Sequence, residues 1–234
     1  MNGSSNPVFK IGTINNIGHF FHETLFYAID AWLNDKQTRW ILHHHLTEWE
    51  QGITDMCAKY LGIECEYADL TGHRNACDLR INSTPNFAEI LKLVRDSAKA
   101  EFPDVQYDPN YSVLYFRDDA SRRRMQGYKG ELNNRFNEVV YNMAAYSFAD
   151  QVRMFMECGK FVSVEGATFT NIIFMDERAR VLDISTTDNS WQTMFGTASC
   201  VGRFERMILG LSEFDWDIQY NGDIENRILT FLSG

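Results

Sequence analysis

Stretches of apolar residues spaced for helices alternate along this chain with short stretches patterned as strands, and that alternation constrains the fold more than any other feature. From His19 to Leu33, Phe21, Leu25, Ala28, Ile29 and Trp32 recur at helical spacing, just after the short apolar segment Val8 to Ile14. Thr38 to His44 and Ile63 to Tyr67 read as strands around a helix over Glu48 to Leu61 that turns Trp49, Ile53, Met56 and Tyr60 inward. A weaker strand follows at Asp78 to Asn82. Thr84 as N-cap and Pro85 as first helical residue then open a helix with Phe87, Ile90, Leu91, Val94 and Ala98 inward.

The tract FPDVQYDPNY at 102–111 holds two of the chain's four prolines and reads as a boundary between residues 1–105 and 106–234. Beyond it come a strand at Ser112 to Phe116, a helix around Leu132, Phe136, Val140 and Met143, and a helix capped by Ser147 with Phe148, Val152 and Phe155 inward. KFVSVE at 160–165 reads as a strand, GATFTNIIFM at 166–175 as a turn into a short helix, and ARVLDI at 179–184 as another strand. Strands separated by helices imply right-handed crossovers and mainly parallel pairing. The expected fold class is therefore α/β, as two Rossmann-like lobes facing a cleft lined by the carboxyl ends of the strands. The aromatics Trp191, Phe195, Phe204, Phe214, Trp216 and Tyr220 are expected to pack back onto the first lobe, because a lobe of roughly 110 residues leaves its core short of cover.

Composition narrows the function. With 22 Lys and Arg against 32 Asp and Glu, the formal charge is −10, which argues against nucleic acids and anionic membranes as partners. The five cysteines form no CxxC pair and read as reduced thiols. No run of 18 apolar residues occurs, and the opening MNGSSNPVFK lacks the basic and apolar regions of a secretory leader, so the chain is expected to be soluble and cytoplasmic, with no membrane span.

Against that acidic background, six basic residues lie between Arg117 and Arg135: Arg117, Arg122, Arg123, Arg124, Lys129 and Arg135. The cluster begins where a strand ends, a position from which arginine can clamp a phosphate bidentately. A solvated basic loop is the plainer reading of the same residues. The second candidate is Val164 to Asn171, where a strand runs through Glu165 into Gly166 and Ala167 and then a helix start. Free backbone N–H groups there make an anion site, and Thr168, Thr170 and Asn171 offer polar side chains.

A third candidate lies in INNIGHFFHE, residues 14–23. His19, His22 and Glu23 stand at i, i+3 and i+4 and so project from one helix face, as a base with a carboxylate partner or as part of a metal site. His43, His44 and His45 alternate faces on a strand and cannot all converge on one ion, and HExxH order is absent, so no metal is expected. GxSxG, GxxxxGK[ST] and GxGxxG are also missing, which removes the main signatures of esterases, P-loop enzymes and dinucleotide oxidoreductases.

GHFFHE near the start, RDDASRRR after a strand, the helix SFADQVRMF, and VEGATFTNIIFM leading to RVLDI resemble, in order and spacing, the motifs of glycosyltransferase family 61. The resemblance spans residues 14–26 and 112–184. It implies a GT-B-type fold and inverting transfer of a sugar from a nucleotide-diphosphate donor to a glycan or other hydroxyl acceptor, with no metal or other cofactor. It places the donor on the second lobe and the acceptor on the first. Carried onto this chain, Arg117 with Arg122 or Arg123 would neutralise the diphosphate, and Gly166, Ala167 and Thr168 would donate backbone N–H groups to it. Thr170 and Asn171 would complete the turn, and Asp183 would bind ribose or sugar hydroxyls. Gln151 would be partly structural, and His19 would act as base with Glu23 as its partner. Glu165 stands where the family usually has His, so a carboxylate there would contact sugar hydroxyls, or the chain would be a nucleotide-sugar-binding protein without transfer activity. A metal-dependent enzyme built on the histidines of the first lobe is the remaining alternative.

Overall fold

Strand pairing is parallel throughout the described residues, as strand–helix alternation requires. The structure, a computed structural model, describes residues 8–12, 17–36, 39–70, 86–117, 124–186, 197–211 and 217–234. The described residues up to Pro103 form one compact unit and those from Asp104 onward form another.

In the first unit, β1 (Val8–Ile11), β2 (Arg39–His43) and β3 (Cys65–Ala68) make a parallel sheet in the order β1-β2-β3. The register sets Ile11 beside Leu42 and Trp40 beside Cys65. The first helix is continuous in direction but not in pitch: α1 (Ile17–Phe20) passes through a π-turn at Phe21–Leu25 into α2 (Phe26–Asn34). Phe20, Phe21, Leu25, Phe26 and Ile29 on this run are fully buried. A π-turn inserts one extra residue, so this buried stripe is wider than a 3.6-residue period predicts.

Helix α3 (Glu48–Leu61) starts with a capping box: Thr47 N–H donates to Glu50 Oε2 at 2.8 Å, and Glu50 N–H donates to Thr47 Oγ1 at 3.3 Å. It stops at Gly62, whose φ of 67° is left-handed and lets its N–H reach the carbonyls of Ala58 and Lys59. Trp49, Ile53 and Met56 are buried as expected, whereas Tyr60 is exposed because it falls on the outer side of the last turn. Thr47→Ala removes half of the box and is expected to cost about 1 kcal/mol in chemical denaturation. Helix α4 (Phe87–Glu101) buries Ile90, Leu91, Val94 and Ala98, while Thr84, Pro85 and the strand expected at Asp78 to Asn82 lie outside the described residues.

The second unit is built on a parallel sheet in the order β6-β4-β7-β8-β9. Its strands are β4 (Asp108–Tyr115), β6 (Glu138–Val140), β7 (Cys158–Val164), β8 (Arg180–Ser185) and β9 (Arg203–Ile208). The short strands β5 (Arg124–Gln126) and β10 (Asp217–Gln219) pair with each other. One sheet face carries Leu114, Val162, Val164, Leu182 and Ile184 against Ile224, Ile228 and Phe231 of α6 (Gly222–Ser233). On the other side Phe161 meets Phe155 of α5 (Phe148–Glu157) at 4.9 Å between ring centroids and Phe169 at 5.6 Å. Apolar cover on both faces explains why β7 reads as a nearly unbroken apolar strand.

Two expectations are corrected. The helix expected around Leu132 to Met143 is a 3-10 turn at Asn133–Arg135, strand β6 and a second 3-10 turn at Met143–Ala145. Leu132, Phe136, Val140 and Met143 are all buried, so their helical spacing is real, but Ser112 N–H donates to Asn137 Oδ1 at 2.9 Å and Asn137 N–H to the Ser112 carbonyl at 3.1 Å, drawing the segment into the sheet. Of the late aromatics, Phe204 and Tyr220 pack within the second unit, against Phe169 and against Phe116 and Tyr128. Trp191, Phe195, Phe214 and Trp216 lie outside the described residues.

Candidate functional site

All strands of the main sheet in the second unit point one way, so their carboxyl ends gather along one edge. β4 ends at Tyr115 beside Ser163 of β7, Ser163 pairs with Asp183 of β8, and Asp183 pairs with Arg206 of β9. Paired positions share a sheet face, and Glu165 and Ser185 lie two residues beyond Ser163 and Asp183. The two-residue period thus sets Ser163, Glu165, Asp183, Ser185 and Arg206 in one polar strip.

Arg117 stands two residues past β4 with φ of 58°, the left-handed region that a bulky residue seldom enters. From there its Nη1 donates to the backbone carbonyl of Glu165, and its guanidinium lies where a side chain on Gly166 would begin. Gly166 precedes the 3-10 segment Ala167–Phe174, and Phe169 N–H closes the first turn onto the Gly166 carbonyl at 3.0 Å. A guanidinium and the first N–H groups of a helical turn therefore adjoin at one point, both suited to an anion.

Glu165 and Asp183 are buried behind this turn. Thr186 Oγ1 donates to Glu165 Oε1 at 3.1 Å. Ser185 Oγ donates to Asp183 Oδ2 at 2.6 Å and Arg206 Nε to the same oxygen at 3.1 Å, while Arg206 Nη2 reaches Ser185 Oγ at 3.0 Å. Asp183 Oδ1 accepts no hydrogen bond from the described residues. A buried acceptor left open costs about 1–3 kcal/mol, which makes this atom the most conspicuous unmet demand of the strip. Burial pushes the Asp183 carboxyl up to about 6, with the Glu165 charge adding to the rise and the Ser185 hydroxyl and Arg206 opposing it.

The remaining residues expected at the donor separate by role. Thr168 and Thr170 are buried in the 3-10 segment. Asn171 serves the fold, because its Nδ2 donates to Gln151 Oε1 at 3.0 Å, and Gln151 Nε2 donates in turn to the carbonyls of Met143 at 3.2 Å and Tyr146 at 3.0 Å. These bonds fasten the segment to α5 and the loop before it. Arg122 and Arg123 lie outside the described residues. Arg124 forms a fork with Asp217, at 3.0 Å from Nε and 2.9 Å from Nη2, and thereby joins β5 to β10.

In the first unit His19 and Glu23 form an ion pair or hydrogen bond between His19 Nδ1 and Glu23 Oε1, with the His19 side chain 41% exposed. His22, expected on the same face, is instead buried. Burial, and then the neighbouring His19, push its pKa down to about 3. His43 Nδ1 accepts from His45 N–H at 3.0 Å, and His44 stacks on Tyr67. Among the described residues no group of three or more His, Cys, Asp or Glu is placed to hold a metal ion.

Residues 17–182 match the family model described as Glycosyltransferase 61. The chain belongs to glycosyltransferase family 61. No curated protein matches it. Family membership supports glycosyltransferase activity, with a sugar donor and an acceptor as substrates. The matched span takes in the His19–Glu23 pair, Arg117 and the Gly166 turn of this family 61 chain, and it ends one residue before Asp183. Ser185, Thr186 and Arg206 lie beyond it and were missed from the sequence. RFERMI carries no clean alternation, and only the pairing of β9 beside Asp183 shows which of its charges turns inward. Among the described residues, no helix is long and apolar enough to cross a membrane.

Proposed function

We propose that this protein transfers a sugar from a nucleotide-diphosphate donor to a hydroxyl of a glycan or similar acceptor, in a single inverting step without a metal ion. The observation that carries the reading is the Arg117 guanidinium lying on Gly166 at the start of the 3-10 segment. Arg117 and the N–H groups of Ala167 and Thr168 take up the charge of the departing diphosphate, the role a divalent cation plays elsewhere. Arg122 or Arg123 would add to the charge that neutralises the diphosphate. Thr170 and Asn171 shape the turn, and Asp183, with Glu165 beside it, receives donor hydroxyls.

The acceptor oxygen attacks the anomeric carbon as the bond from that carbon to the diphosphate oxygen breaks, and the hydroxyl proton passes to the His19 imidazole. Glu23, already paired with His19 Nδ1, orients the ring and stabilises the imidazolium that forms. The proposed organisation is GT-B-type, with residues 1–105 serving the acceptor and 106–234 the donor. Cytoplasmic location is part of the same reading, supported by the free thiols Cys57, Cys65 and Cys158.

A thermal-shift screen of nucleoside diphosphates and their sugar conjugates tests the donor class. Stabilisation by UDP or GDP is expected in the wild type, with affinity reduced about tenfold or more by Arg117→Met, the loss of one charge-assisted contact. His19→Ala is expected to keep that binding and lose turnover. The absence of any shift would overturn the donor reading, and normal turnover in His19→Ala would remove the base. Binding with no sugar transferred would leave a nucleotide-binding protein.

A further inference from the structure

We propose that Arg206 is a positioning residue for the donor site: with Ser185 it fixes Asp183 so that Oδ1 stays open as the acceptor for a hydroxyl of the donor nucleotide. The inference rests on the donor reading above and adds a residue that lies outside the matched family span.

Hydrogen bonds are distributed unequally over the two oxygens of this carboxylate. Asp183 Oδ2 receives both Ser185 Oγ and Arg206 Nε, and Arg206 Nη2 closes the triangle through Ser185 Oγ. Such a three-sided arrangement leaves the carboxylate little freedom to rotate, so the orientation of the second oxygen is set as well. That second oxygen is buried and receives nothing from the described residues. Arg206 is not needed to hold β9 in place, since backbone register already ties β9 to β8 from Arg180 beside Arg203 to Ser185 beside Ile208.

Among the described residues, the charges facing Asp183 come from the two strands packed against it. Glu165 reaches it from the end of β7 and raises its proton affinity, Arg206 reaches it from β9 and lowers it, and the Ser185 hydroxyl on its own strand also lowers it. Arg206 is therefore the cation that keeps the carboxylate in the form that accepts, against burial and a neighbouring acid. Asp183 protonated would present a donor where the ligand hydroxyl needs an acceptor.

The test has one arm with ligand and one without. UDP and GDP binding is measured by calorimetry from about pH 5 to 8.5 in the wild type, Arg206→Met and Arg206→Lys, and the Asp183 side-chain carboxyl is titrated by carbon NMR in the same proteins. In the wild type, affinity is expected to fall below about pH 6, alongside the Asp183 titration. In Arg206→Met both midpoints move up by about one pH unit or more, roughly tenfold in proton affinity. Affinity at neutral pH is then weaker by about twofold or more, and the deficit narrows toward the alkaline end of the range. Arg206→Lys keeps the charge without the fork and gives intermediate midpoints. A merely structural role would lower affinity equally at every pH. If Arg206→Met fails to fold, Ser185→Ala, which removes one side of the triangle, is expected to move both midpoints in the same direction. An unmoved Asp183 midpoint in a folded variant overturns the inference and leaves the donor reading standing. Failure of the wild type to bind either nucleotide at any pH overturns the donor reading, and the ligand role of Oδ1 with it.

Discussion

Gly166→Ala is expected to fold and to lose nucleotide-diphosphate affinity by a factor of about 10 to 100, the equivalent of one charge-assisted contact worth about 1.5–3 kcal/mol. The added methyl would overlap Nη1 and Cζ of Arg117, and those atoms are the far end of a flexible side chain. Backbone is not the obstacle, because the φ of 161° at Gly166 is extended and open to alanine. The side chain of Arg117 yields first, leaving the Glu165 carbonyl and the place beside the first turn of the 3-10 segment. Loss of stability should stay within the roughly 1–3 kcal/mol typical of overpacking. Calorimetric titration with the nucleotide diphosphate that stabilises the wild type, paired with thermal denaturation, separates the two effects. Wild-type affinity in Gly166→Ala would show that the guanidinium's position on the glycine has no part in binding.

His22→Gln is expected to remove an acid-sensitive contribution of about 2 kcal/mol to the stability of the first unit at pH 5. His22 is buried, and its pKa lies near 3 in the fold against 6.5 for the exposed group. The unfolded chain therefore takes up a proton that the folded one refuses, so the stability that His22 contributes is present above pH 6.5 and is lost as pH falls from there toward 3. At pH 5 the loss is 6.5 − 5 = 1.5 units, or about 2 kcal/mol. Asp183 acts in the opposite sense. Its carboxyl is raised from 3.8 to about 6, so its ionised form costs stability above pH 6, and that cost is relieved as pH falls through 6 toward 3.8. Denaturant titrations of wild type and His22→Gln near pH 7.5 and pH 5 isolate the histidine, since Asp183 contributes equally to both proteins. A gap between the two proteins that does not change by about 2 kcal/mol over that range would mean that His22 is not the group being titrated.

What could be read from the sequence follows the range of the interactions involved. The helix over Glu48 to Leu61 was legible to the residue because its stop at Gly62 and its apolar stripe are local, and Ser147 announced α5 in the same way, its Oγ accepting from Asp150 N–H at 3.1 Å. The parallel α/β class followed from alternation alone. Segments whose structure is decided elsewhere were not legible. The π-turn at Phe21–Leu25 keeps helical spacing within one residue, and β6 takes its conformation from Asn137 bonding to Ser112, 25 positions away. The site divides along the same line. Arg117, Gly166 and Asn171 stand out by type and position, whereas the bond from the Asn171 amide to Gln151, 20 positions away, and the turning of Arg206 toward Asp183 have no local sign.

Pairing of β5 with β10 makes completion of the second unit a late event in synthesis. Met125 lies beside Ile218, so a contact in the core of that unit joins positions separated by 218 − 125 = 93 residues. On a ribosome adding residues in order, strands β4, β7 and β8 emerge well before the Ile218, Ile224, Ile228 and Phe231 side chains that cover one of their faces. That face is therefore wet and adhesive until Ile218 and the residues after it have been added, and closing it requires a long loop to be drawn in. Nascent chains stalled before Asp217 should bind chaperones that recognise exposed apolar strands, and release them once α6 has left the exit tunnel.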